Sequence, residues 1–122
     1  MTEELAALIE RYRHTPEFMF AELTDVNSTT GMTRDTLLHS AVISASIEDV
    51  DLLIRSGAKV NAQSDLGDTP LHHAASRGLL DIANRLIASG ASRHLKNEFG
   101  QTPADVAALM KHKELAERLQ GK

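Results

Sequence analysis

The chain is predicted to be an all-α solenoid of stacked helix pairs with short β-hairpin-like fingers, and three observations predict it. Thr36, Thr69 and Thr102 stand 33 positions apart, and much of the chain repeats in step with them. The middle copy opens Asp65-Leu66-Gly67-Asp68-Thr69-Pro70-Leu71-His72-His73-Ala74-Ala75-Ser76-Arg77-Gly78 and closes Leu86-Ile87-Ala88-Ser89-Gly90-Ala91. A period in this range marks stacked supersecondary units, none able to bury its apolar face alone. Aromatic residues make up only 3% while Ala is abundant, so the core is built of small aliphatic side chains in thin layers. The two ends depart from the middle pattern, as the water-facing ends of a stack require. Such an architecture points toward binding and away from catalysis.

Four units follow in order: 1–30 as a degenerate N-terminal cap, 31–63, 64–96, and 97–122 as the C-terminal cap, within one domain. Thr2 caps a helix from Glu3 to about Arg13, with Leu5, Leu8 and Ile9 on its apolar side. Thr15-Pro16-Glu17 repeats the cap-plus-proline signal and opens a second short helix carrying Phe18, Phe20 and Leu23. Asp25-Val26-Asn27 then echoes Lys59-Val60-Asn61. In the next unit Thr36 starts a helix, and Ala45 stands where the following copy has the terminating Gly78. In the middle unit Thr69 is the N-cap, Pro70 the first helical residue and Gly78 the stop. Leu80, Ala83, Leu86 and Ile87 stripe its second helix, which Gly90 closes. Ala91 to Gly100 is too short and polar for another helix and projects as an extended finger. The last unit runs Thr102 to Leu109 and then Lys113 to Gln120, charged on all but one stripe.

Composition excludes several function classes. A formal charge of −4, with no basic run, argues against nucleic acid, whose phosphates demand a basic stripe. No apolar stretch approaches a membrane span. With no cysteine, neither disulfides nor thiolate metal sites are available. The acidic start lacks the basic region of a secretory signal, so the expected address is the cytoplasm. No Gly-x-Ser-x-Gly elbow and no phosphate-cradling loop is present, and no cofactor is expected. The pair Glu48-Asp49 reads as negative charge complementing a helix start.

The run Gly67-x-Thr69-Pro70-Leu71-His72-x-Ala74-Ala75-x-x-Gly78, followed by Leu86-Ile87-x-x-Gly90-Ala91, resembles the ankyrin repeat, as does Leu53-Ile54-x-x-Gly57-Ala58-Lys59-Val60-Asn61-Ala62. The resemblance covers about residues 31–120. It implies structural roles for Thr69 with His72 and for Thr36 with His39. Arg34, Leu37 and Asp105 depart from it, standing where the family has Gly, Pro and His. Function by this resemblance is protein recognition, an inference by analogy of fold.

In such a stack the finger tips and the exposed side of each first helix line a concave face. The candidate binding residues are Met32, Asp35, Ile43, Asp65, Leu66, Asp68, His73, Arg77, Glu98, Phe99, Gln101 and Met110. Leu66 and Phe99 are equivalent positions, large and apolar where exposure is expected; the bland reading folds both onto the next finger. Apolar anchors rimmed by Asp and Glu suit one protein partner bearing basic residues, bound by a monomer. An inhibitor or immunity-type protein, acting by occlusion, is one form of this. The competing class is a metal-dependent enzyme or small-ligand binder using His72, His73, Asp65 and Asp68. Adjacent histidines on a helix diverge by about 100°, which disfavours one shared ion. His14, His94 and His112 are expected at the surface.

Overall fold

A computed structural model describes residues 2–18, 22–30 and 33–120; Phe20 and Met32 lie outside them. The helices among these are α1 (Glu3–Arg13), α2 (Leu37–Ile43), α3 (Ile47–Arg55), α4 (Pro70–Arg77), α5 (Leu80–Ala88), α6 (Pro103–Leu109) and α7 (Lys113–Leu119). The described residues form no ladder strand, only an isolated antiparallel bridge between Thr29 and Thr36. None of these helices is long and apolar enough to cross a membrane.

Each inner helix begins at the same device. The Thr36, Thr69 and Thr102 hydroxyls accept the backbone N–H of the residue three places on, and that residue's side chain accepts the Thr N–H. Two orphan donors per helix start are satisfied reciprocally. Inner helices α2, α4 and α6 stack in a row, with α3, α5 and α7 as their outer partners and α1 against α3. The core between them is continuous, from Leu8 and Phe18 through Leu37, Leu53, Leu71 and Leu86 to Leu115 and Leu119. Its alanines (Ala41, Ala74, Ala75, Ala83 and Ala107) are fully buried, which lets successive layers approach closely.

The N-terminal unit is simpler than the repeated cap signal suggests. Among the described residues its second helix is a single 3₁₀ turn, Pro16–Phe18, and three full helix pairs follow it. The Thr15 hydroxyl donates back to the Tyr12 carbonyl (2.7 Å) instead of capping forward. The echo at Asn27 has a structural basis. Asn27 Oδ1 accepts the Lys59 N–H (2.9 Å), and Asn61 Oδ1 accepts the Ser92 N–H (2.7 Å). Each Asn thus ties its loop to the next unit.

Asp49 does more than complement its helix start, and the surface expectation for His112 is corrected. Asp49 is buried at the start of α3, accepting from Arg11 Nη2 (2.8 Å) and the Tyr12 hydroxyl (3.0 Å). Burial pushes its carboxyl up, but the Arg11 guanidinium and the Tyr12 hydroxyl outweigh this and hold it below the ordinary carboxylate range. His112 is half-buried, with its Nε2 3.1 Å from the Ser76 carbonyl and its ring against Gly78.

Candidate protein-binding face

The fingers are positioned by histidines on the inner helices. Thr36 N–H donates to His39 Nδ1 (3.0 Å), which leaves the ring proton on Nε2 to be donated to the Asp68 carbonyl (2.8 Å). His72 repeats this one unit on, from Thr69 N–H (3.0 Å) to the Gln101 carbonyl (2.9 Å). Each ring therefore joins its own helix start to the base of the following finger. Burial holds His39 below the ordinary imidazole value, keeping it in the neutral form this bonding needs. At the third position Asp105 accepts the Thr102 N–H (3.0 Å). No finger among the described residues lies beyond it, so an acceptor alone suffices there.

In the third finger one polar side chain turns inward. The buried Asn97 accepts the N–H groups of Phe99 (3.0 Å) and Gln101 (3.1 Å) and donates to the Asp68 carboxylate (3.0 Å) and to Gln101 Oε1 (3.1 Å). Asp68 and Gln101 are thus engaged in finger architecture. Adjacent fingers are joined through backbone, Asp65 N–H to the Thr33 carbonyl (2.8 Å) and Glu98 N–H to the Leu66 carbonyl (2.9 Å).

The apolar tips do not fold down. Leu66 is 51% and Phe99 70% exposed, Leu109 and Met110 at the end of α6 are 67% and 50%, and Ile43 at the end of α2 is 38%. Asp65, Glu98 and Arg77 are also exposed, with the Arg77 guanidinium bonded to the Ile43 carbonyl. Leu66 and Phe99 are thus exposed apolar side chains, each next in sequence to an exposed carboxylate, Asp65 and Glu98.

The competing constellation is not assembled. His72 has both nitrogens engaged, and Asp68 serves the finger. The cluster found instead is Asp35, His39 and His73, one possible ligand atom from each lying within 4.8 Å of the others. His39 is committed at both nitrogens, which leaves Asp35 and His73, two short of a tetrahedral set. His73 Nε2 is buried without a hydrogen-bond partner, 3.8 Å from Asp35 Oδ1. Its ring packs edge-on to His39 with centroids 5.5 Å apart. At Asp35, burial pushes the carboxyl up, while His73 and the Thr33 hydroxyl bring it below its ordinary value. This pairing links non-equivalent positions of neighbouring units, so the repeat period gave no sign of it.

A depression of about 380 Å³ lies between the turns, lined by Ala45, Ile47, Gly78, Leu79, Leu80, Asp81 and Ile82, and it gathers no cluster of titratable groups. A comparison with curated proteins returns no match. The family profile described as ankyrin repeats (3 copies) matches residues 38–122, in agreement with the stacked pairs and their capping boxes, and the chain belongs to the ankyrin repeat family.

Proposed function

We propose that this protein is a non-catalytic interaction module that binds one protein partner through the concave face formed by its fingers and inner helices. Ankyrin repeats are generally protein–protein interaction modules and typically non-catalytic. The observation that carries the reading is the exposure of Leu66 and Phe99 at equivalent finger tips, each beside an exposed carboxylate. The candidate face comprises Asp35, Ile43, Asp65, Leu66, Asp68, His73, Arg77, Glu98, Phe99, Gln101 and Met110; Asp68 and Gln101 act in it by holding the tips. The partner carries basic residues opposite Asp65 and Glu98, and association weakens as salt screens them. Binding itself is the output, as in an inhibitor or immunity-type protein that occludes its target. The proposed working form is a monomer in the cytoplasm, an address that a cysteine-free composition suits.

Affinity capture from the source lysate, read by mass spectrometry, tests this. Wild type runs beside a Leu66→Asp, Phe99→Asp variant, whose fold should survive because both side chains are exposed. A protein retained by wild type and lost by the folded variant supports the reading. Identical captures with both sink the concave-face assignment.

A further inference from the structure

We infer that the segment taken by this face is an amphipathic α-helix lying along the stack axis, with apolar residues seven apart and Lys or Arg beside each. The inference rests on the concave-face reading above and adds the form of the ligand. Its basis is a pair of matching doublets. Asp65-Leu66 and Glu98-Phe99 occupy equivalent positions, in the same order, with all four side chains exposed. The bonds from Asp65 N–H to the Thr33 carbonyl (2.8 Å) and from Glu98 N–H to the Leu66 carbonyl (2.9 Å) hold these fingers in register. The doublets are presented at a set spacing without prior ordering, which favours a ligand of matching period.

That spacing discriminates among backbones. Helix layers pack roughly 8–10 Å apart, so successive tips are separated by about 10 Å. An α-helix advances about 10.5 Å in seven residues and returns to nearly the same face. A β-strand covers about 10 Å in three residues, but residues three apart point to opposite sides. A strand cannot place two apolar side chains on one side at this distance; a helix can. A helix also sets further residues beside each anchor for a cation, whereas polyproline II, which repeats its face in about 9 Å, turns the residues between its anchors to other edges. Residues three or four from each apolar anchor share its helix face, which is where a cation would meet Asp65 or Glu98.

Charge then sets the polarity of the ligand along the stack. The first finger departs from the doublet: Thr33 stands at the Leu66 position and the exposed Arg34 at the Gly67 position. Acidic groups therefore flank the second and third tips and a basic one the first, so the helix is basic over two turns-pairs and carries an acidic residue where it passes Arg34. Leu109 and Met110, exposed in the same unit as Phe99, weight the apolar contact toward the third finger.

The test uses two displayed peptide libraries: one randomises a single face of a stable helical scaffold, and the other holds proline at every third residue, since polyproline II also repeats its face in about 9 Å. Selection is on the full chain, followed by binding to folded Leu66→Asp, Phe99→Asp and Asp65→Lys, Glu98→Lys variants. The expected result is enrichment of helical clones with apolar residues seven apart and Lys or Arg three or four residues from each. These should lose at least about tenfold in affinity to the first variant, and the charge reversal should enrich acidic residues at the same places. Proline-spaced winners, another apolar spacing, or no helical winner overturns the helix inference while leaving the face intact if binding is still lost to the apolar variant. Winners that bind both variants as well as wild type overturn the face itself.

Discussion

The helix stops make the sharpest test of the repeat geometry, because one turn occurs three times with different side chains. Gly78 ends α4 at φ 69°, Ala45 ends the equivalent turn after α2 at φ 58°, and Lys111 ends that after α6 at φ 64°. An L-residue in this region is strained by about 1–2 kcal/mol, and the extra freedom of unfolded glycine offsets about 0.5–1 kcal/mol of any relief. Ala45→Gly should therefore stabilise by about 0.5–1 kcal/mol. For a chain of 122 residues the unfolding entropy makes 1 kcal/mol equivalent to about 4 °C, so Tm should rise by about 2–4 °C. Gly78→Ala should go further the other way. A Cβ there would lie 2.6 Å from His112 Nδ1 and 2.7 Å from its Cε1, and the ring cannot swing aside without giving up the Ser76 carbonyl. Overpacking of about 1–3 kcal/mol adds to the net strain, for a loss of about 2–4 kcal/mol. Urea unfolding of the double-mutant cycle Gly78→Ala with His112→Ala separates the terms. The cycle should return a coupling of about 1 kcal/mol or more, the strain alone surviving without the ring. An equal cost of Gly78→Ala in both backgrounds, or a lower Tm for Ala45→Gly, would refute this reasoning.

Three further outcomes follow from the same structure. Gly90→Val should cost more than about 1 kcal/mol from backbone strain alone, since φ is 102° and nothing lies within 4 Å of the added Cβ; an unchanged melt would count against it. Asp49→Asn should destabilise by about 1–2 kcal/mol at neutral pH, discounted for the exposure of Arg11. Because the folded carboxyl sits below its ordinary value, that contribution is present above the unfolded pKa and lost as pH falls through the folded one, so wild type and variant should converge in acid urea melts. His73→Val should change stability by less than about 1 kcal/mol by thermal melt, because Val106 already fills the equivalent place in the next unit and the imidazole leaves Nε2 unpartnered.

The repeated part of this fold was legible because its signals are local and recur. Thr36, Thr69 and Thr102 bring their capping partners within three residues, and Ala45 with Gly78, and Gly57 with Gly90, mark stops at matching places. The exposure of Leu66 and Phe99 could be anticipated from equivalence alone. What the sequence concealed lies between units at non-equivalent positions. Arg11, Tyr12 and Asp49 meet across nearly forty residues, and Asp49 already had a sufficient local explanation at a helix start. Asp35 and His73 meet similarly, although their counterparts Asp68 and Val106 make no such pair. The Thr15-Pro16 signal misled for the opposite reason: the local pattern is right, but the hydroxyl is used on the preceding turn and Phe18 is drawn fully into the core.

The finger shows how one short segment serves scaffold and surface at once. Asn97 supplies all four of its amide bonds inward, so the backbone around Phe99 and Gln101 is held by a buried side chain rather than by a strand ladder. His72 fixes the base of the same finger at the Gln101 carbonyl. With the polar groups engaged there, Phe99 needs no part in folding and stands 70% exposed. A tip built this way loses little freedom on binding, and ordering a flexible side chain or loop commonly costs about 0.5–1.5 kcal/mol per group. The side chains that hold the third finger and the one proposed to meet a partner, Phe99, are therefore different residues of the same segment. Asn97→Ala should accordingly weaken binding by loosening the tip even though Asn97 is buried, whereas Phe99→Asp should weaken binding with the melting curve unchanged.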